Sequence, residues 1–267
     1  MKSSQGFPER IVCLTEETTE TLYLLGEDWR IVGISGFTVR PPRARKEKPR
    51  VSAFTSAKID RIVALEPDLV LGFSDLQADI AASLVRAGIE VHVFNHRSVA
   101  EILRTVRVLG GMIGCEEKTR ALVAQLEAGL AEVRARAATL TRRPRVYFEE
   151  WDEPQISGIR WVSELIGIAG GEDCFPELAR ESLGKNRIIA DSLEVTRRAP
   201  DIILGSWCGK KFQPTTVAAR AGWQDVPAVR GGFLREIKSS LILQPGPAAL
   251  TDGVNEIQKV ILEWAAR

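Results

Sequence analysis

The chain is poor in the residues that metal and redox chemistry usually need. It has two histidines, His92 and His96, and four scattered cysteines, Cys13, Cys115, Cys174 and Cys208, in 267 residues. The cysteines lack metal-type pair spacing and read as reduced thiols. The histidines lie at i,i+4, but His92 alternates within a strand pattern, so the pair does not share a face and reads as structural or surface. No intrinsic cofactor is expected, and none of the motifs GxxxxGK[ST], GxGxxG after the first strand, GxSxG or HExxH occurs. No run approaches the ~18 consecutive apolar residues of a membrane span. Neither charge dominates: 36 Lys and Arg stand against 35 Asp and Glu, so nothing in the global balance favours nucleic acid or an anionic membrane. The first ten residues carry no apolar h-region, which predicts a cytoplasmic address, or a periplasmic one if a signal peptide has been trimmed.

What is present is an ordinary globular composition, 45% hydrophobic and 27% charged. Short runs rich in Val and Ile alternate with helical patterns. Strands are expected at residues 10–14, 31–35, 69–73, 91–94, 145–148 and 202–205, with further short ones at 228–229 and 234–237. Helices are expected at 15–25 (Thr15 as N-cap), 59–65, 80–87, 99–113 (interrupted at Gly110-Gly111), 161–169, 193–198 and from Pro247 to 265. Residues 36–50 read as a loop. Residues 116–140 carry one apolar stripe, Leu122, Leu126, Leu130, Val133, Ala137 and Leu140, and would make a helix ~37 Å long.

The second half echoes the first. Pro67-Asp68-Leu69-Val70-Leu71-Gly72 recurs as Pro200-Asp201-Ile202-Ile203-Leu204-Gly205 at an offset of 133, and Arg10-Ile11-Val12 as Arg145-Val146-Tyr147 at 135. Two matches at nearly one offset, flanking a long helix, predict an α/β protein of two Rossmann-like lobes with parallel sheets, joined by one spine helix, with a ligand cleft between the lobes. The expected limits are 1–114, 115–141 and 142–267. Ligands of parallel α/β sheets bind beyond the carboxyl ends of the strands. The loops there offer Phe37, Arg40, Phe54, Phe73 and Arg97 in the first half, and Trp151, Ile156, Ser157, Arg160 and Arg187 in the second. Trp207 and Lys210 in Ser206-Trp207-Cys208-Gly209-Lys210-Lys211-Phe212 add an aromatic face and a point charge suited to an anion. The run Glu149-Glu150-Trp151-Asp152-Glu153 reads as a solvated loop, with acid–base catalysis by Glu149 or Glu150, or nucleophilic catalysis by Cys208, as the enzymatic alternative.

The blocks Arg10-Ile11-Val12, Thr19-Glu20-Thr21-Leu22 through Leu25-Gly26, Val32-Gly33-Ile34-Ser35, Pro41-Pro42 and Ile59-Asp60-Arg61-Ile62-Val63-Ala64-Leu65-Glu66-Pro67-Asp68-Leu69-Val70 resemble the helical-backbone (class III), cobalamin-type substrate-binding proteins of ABC importers, relatives of which bind ferric siderophores and haem. Glu164-Leu165 through Ala169-Gly170-Gly171 and Ala199-Pro200-Asp201-Ile202-Ile203 carry the likeness into the second half. The resemblance implies binding rather than catalysis, a corrinoid or other metal chelate as ligand, and carboxylates that dock on a membrane permease, at Asp60 and, one residue out of register, at Glu194 (Leu193 is the ungapped match). It carries aromatic ligand contacts to Phe54 and Phe73, a second-lobe contact to the vicinity of Arg187, and an acidic and a basic contact to around Ser239 and Leu243. Residues 206–212 and 242–247 are not features associated with the transporter members.

Two binding readings follow: an importer's solute-binding protein for a cobalamin-like, metal-chelate or anionic molecule, or a cytoplasmic member of the fold that senses, carries or modifies a related metabolite. The partners expected are a small molecule and an ABC permease, not nucleic acid, and the chain is expected to be a monomer.

Overall fold

The computed structural model describes residues 6–267. The chain divides into two compact units. The residues to His96 together with Ala100–Leu126 form unit 1, and Arg97–Val99 with Glu127–Arg267 form unit 2.

Unit 1 is built on a parallel five-stranded sheet. Its strands are β1 (Ile11–Cys13), β2 (Ile31–Ser35), β3 (Arg50–Ser52), β4 (Leu69–Phe73) and β5 (Val91–Phe94), in the order β3-β2-β1-β4-β5. Every residue of β1 and β4 is buried, as expected for parallel strands covered on both faces. Val12, Leu14, Val51, Ile62, Val70, Ile80 and Leu84 pack into one apolar cluster of the unit.

Unit 2 repeats this plan with a modification. Its strands are β6 (Arg145–Asp152), β7 (Gln155–Ser157), β8 (Glu172–Asp173), β9 (Ile202–Gly205) and β10 (Leu234–Glu236). β6 pairs in parallel with β8 and β9, and β10 with β9, but β7 returns antiparallel on β6, so this sheet is mixed rather than parallel. Its core gathers Tyr147, Phe175, Trp223, Trp207 and Phe212, with Tyr147 edge-on to both Phe175 and Trp223.

The internal repeat has a hydrogen-bonded basis. The carboxylate of Asp68 accepts from the amide of Arg10 at 2.9 Å, while the Asp68 amide donates to the Arg10 carbonyl. Asp201 does the same with Arg145, at 2.8 Å in each direction. Each Pro-Asp pair therefore stitches the entry of one strand to the entry of its neighbour, β4 to β1 and β9 to β6. This satisfies backbone groups at the amino ends of these interior strands.

Several local expectations change. The helix Val99–Met112 runs uninterrupted through Gly110 and Gly111. A Cβ at Gly110 would stand 1.8 Å from Thr119 Oγ1, so this glycine permits close helix packing rather than breaking the helix. The long helix spans Glu116–Ala137, 22 residues and so ~33 Å. Residues 36–50 contain a short helix, Ala44–Glu47, and lead into β3. Residues 228–229 lie in a helix, Pro227–Gly231, opened by a proline in its first turn, not in a strand. The helix Ile59–Val63 ends earlier than expected. The C-terminal helix Val254–Ala265 is preceded by a π-helical turn, Ala249–Gly253. Thr15 precedes the helix Glu16–Leu24 but caps no amide with its side chain; its hydroxyl donates to Glu17 instead.

Candidate functional site

The run 149–153 is not a solvated loop. Residues 149–152 continue β6, and Glu149 is completely buried. Tyr147, two residues earlier on the same strand, presents its hydroxyl to the same side and donates to Glu149 Oε2 at 3.0 Å. Arg220 binds both carboxylate oxygens, at 2.5 and 3.0 Å, and the Trp207 indole donates to Oε1 at 3.1 Å. Burial, and then the charge of Glu149, push the Tyr147 phenol well above its ordinary range, so it stays a donor. With two nitrogens, an indole and a hydroxyl on it, Glu149 is a structural anchor. Its partners lie as far as 71 residues away in sequence.

The neighbouring carboxylates follow suit. Glu150 holds Arg187 through two hydrogen bonds of 2.7 and 2.9 Å, and Arg187, on the short turn Gly184–Arg187, also donates to the Ser157 carbonyl. Asp152 pairs with Lys210 at 2.5 Å. The Lys210 ammonium lies 4.3 Å from the Trp151 ring and 5.1 Å from the Trp207 ring. Three carboxylates of one strand thus collect three cations from separate downstream segments. Arg187 and Lys210, expected as anion contacts, are both neutralised inside unit 2. Trp207 is 5% exposed and packs 5.0 Å from Phe212. Gly205 makes that packing possible, since a Cβ there would stand 1.8 Å from the Phe212 ring. Trp151 is half-buried against this core, its indole donating to the Glu153 carbonyl. Ile156 and Ser239 are half-buried, Ser157 is buried, and Arg160, at the surface, pairs with Glu164. Cys208 is exposed; burial raises the Cys13 and Cys174 thiols to about 12, and no disulfide joins any of the four cysteines.

Unit 1 presents a different rim. Glu16 accepts from the amides of Val39 and Arg40, both at 2.9 Å, and Arg40 Nε donates to Glu20 at 2.9 Å. These bonds tie the loop that follows β2 to the helix Glu16–Leu24. Phe37 stands exposed on that loop. Phe54 is half-buried, and its carbonyl accepts from Gln77. Phe73 is buried at the end of β4, edge-on to His96 at 5.1 Å. His92 is half-buried on β5, 4.4 Å from Phe94. Burial lifts Glu16 and Glu17 to about 7.

Of the docking candidates, Asp60 is exposed in the first turn of Ile59–Val63. Glu194 is held by Arg197 at 2.8 Å and Arg198 at 2.9 Å, which lower its pKa, and Leu193 beside it is exposed.

A residue class missed by sequence reasoning is the buried polar atom with no partner. Glu17 Oε2, Thr38 Oγ1 and Ser52 Oγ in unit 1, and Gln155 Nε2, Arg187 Nε and Ser206 Oγ in unit 2, are such atoms. Each lies at or beyond the carboxyl end of a strand, or on a segment bridged to one, as Ile188 next to Arg187 is bridged to Ile156. Buried polar atoms are almost always paired, so these six stand out at that end of each sheet, the end beyond which ligands of parallel α/β sheets bind.

Two α/β units, each with unsatisfied polar groups at the carboxyl ends of its strands, have the architecture of a two-lobed solute-binding protein. The model of the family described as "Periplasmic binding protein" matches residues 11–241, and the chain belongs to that family. It is 24% identical over 263 residues to the uncharacterized ABC transporter substrate-binding lipoprotein YvrC of Bacillus subtilis (strain 168), covering 95% of this chain and 80% of the relative. It is 23% identical over 246 residues to the vitamin B12-binding protein of Vibrio parahaemolyticus, covering 91% and 86%. The periplasmic heme-binding protein RhuT from Roseiflexus sp. RS-1, in apo form, has the same fold, with a TM-score of 0.80 at 24% identity over 95% of this chain and 99% of that one. No helix among the described residues is long and apolar enough to cross a membrane.

Proposed function

We propose that this chain is the substrate-binding component of an ABC importer and that its ligand is a planar metal chelate of the corrinoid class. What carries the reading is the set of buried, partnerless polar atoms at the carboxyl ends of the strands in both units, which a ligand with a hydrogen-bonding periphery would satisfy. The vitamin B12-binding relative supports the corrinoid choice, and the lipoprotein relative supports work outside the cytoplasmic membrane rather than in the cytoplasm. Trp151 supplies apolar area beside the site, and Phe37 and Phe54 do so in unit 1. Because Arg187 and Lys210 are already paired, a strongly anionic ligand is disfavoured. Asp60 is the permease-docking candidate that remains exposed, whereas Glu194 is engaged by arginines.

Isothermal titration with cyanocobalamin and dicyanocobinamide tests the reading. Saturable one-to-one binding of either supports it. Absence of heat from both, with binding of a ferric siderophore, would replace the corrinoid by another chelate.

A further inference from the structure

The first turns of the helix Glu16–Leu24 are polar and yet buried: Glu16, Glu17, Thr18, Thr19, Glu20 and Thr21 are all at most 7% exposed. Most of this polarity is accounted for. Glu16 takes two amides and Glu20 takes Arg40. The threonine hydroxyls of 18, 19 and 21 donate back to carbonyls of the preceding turn. Glu17 is the exception. Its Oε1 accepts from Thr15 Oγ1 at 2.5 Å, while its Oε2 meets no donor and no acceptor, and no cation pairs with it among the described residues. Ionised, Oε2 needs a donor; protonated, it needs an acceptor; the protein supplies neither. Thr38 Oγ1 and Ser52 Oγ are also without partners among the described residues. The three residues leave or end β1, β2 and β3, which are adjacent in the sheet, at the same end. Partnerless buried groups that end or follow three neighbouring strands are incomplete as protein structure, and polar groups of a ligand reaching them would complete them.

We propose that Glu17, with the hydroxyls of Thr38 and Ser52, forms a specificity-determining subsite that takes neutral N–H or O–H donors from the ligand's periphery and turns away carboxylates. The inference rests on the binding reading above and deepens it. An amide-fringed corrinoid brings the missing donors. A carboxylate-fringed porphyrin such as haem would set its propionates against Glu17, and among the described residues no cation is paired with Glu17 to offset them.

The test uses the full chain, titrated with cyanocobalamin and with hemin. Wild type is expected to bind cyanocobalamin at least about tenfold more tightly than hemin. Glu17→Leu should weaken cyanocobalamin by about tenfold while raising the thermal midpoint of the ligand-free protein by about 3 °C, because an uncompensated buried carboxylate is removed. Glu17→Gln, of the same shape, should narrow the gap between the two ligands. If wild type binds cyanocobalamin and both variants bind the two ligands unchanged, the subsite is overturned and the binding reading stands. If wild type binds neither ligand, the corrinoid reading falls. A lowered midpoint for ligand-free Glu17→Leu overturns the subsite by itself, since Glu17 would then be holding the fold together.

Discussion

Beyond β1, unit 1 buries Glu16 and Glu17 with no cation on either among the described residues; along β6, unit 2 matches Glu149, Glu150 and Asp152 one by one with Arg220, Arg187 and Lys210. The two strands hold equivalent places in the repeated plan, each stitched by an arginine amide to the aspartate of a Pro-Asp pair. Carboxylates at corresponding ends therefore play opposite parts. In unit 2 they are used up in joining segments distant in sequence, so Arg220, Arg187 and Lys210 are each neutralised. In unit 1 they are satisfied by amides and a hydroxyl, or not at all, so bonding capacity is left over. A buried charge that is paired is costly to unpair, and one that is unpaired is costly to keep.

The contrast is sharpest where a single partner is removed. Glu149→Ala leaves the half-buried Arg220 without its carboxylate, and the buried Trp207 indole and Tyr147 hydroxyl without their acceptor, and should lower stability by about 3–5 kcal/mol in urea denaturation. A loss below about 1 kcal/mol would erase the distinction between the units. The pH profile comes next. Glu16 and Glu17 titrate near 7 in the folded protein, against about 4.5 for a glutamate in an unfolded chain, because burial disfavours their charge. The folded state then holds protons more tightly than the unfolded one. The contribution of each is fully present below pH 4.5 and is lost as pH rises through 7, a fall of up to about 3 kcal/mol per group. Denaturation between pH 4.5 and 8 checks this, and Glu16→Gln with Glu17→Gln should flatten the curve.

Gly205→Ala should loosen the rim of unit 2 by driving a methyl group into the Phe212 ring. A cost of about 1–3 kcal/mol and a changed tryptophan emission from Trp207 are expected. Lys210→Ala removes a half-exposed ion pair and a cation–π contact and should cost only about 1 kcal/mol. The smallest effect is expected for Asp60→Ala, within about 0.5 kcal/mol of wild type in the same denaturation, since its side chain is at the surface; its consequence should instead be weaker association with permease in a pull-down.

Much of the fold was legible in the chain because parallel strands buried on both faces must be apolar throughout, and the repeated Pro-Asp entry marks β4 and β9 by itself. Ala228 and Val229 read as strand because two β-branched or small apolar residues carry no period; Pro227 in the first turn decided for helix. Gly110-Gly111 read as a break because glycine is a poor helix former, but the need of Thr119 for that space overrode propensity. The candidate site was legible only in part. Loops after strands could be picked out, and with them Phe37, Arg40, Trp151 and Lys210. Which of the charged residues among them were already paired could not be read, because a partner 37 or 71 residues away leaves no trace in local spacing.

Local pattern therefore determined most of the strands and helices and the doubled plan, since those follow from periodicity and backbone hydrogen bonding over short stretches. The antiparallel return of β7, the neutralisation of Arg187 and Lys210, and the isolation of Glu17 were decided by tertiary structure, because a charge's meaning depends on what packing brings within a few ångströms of it and on how much water packing removes.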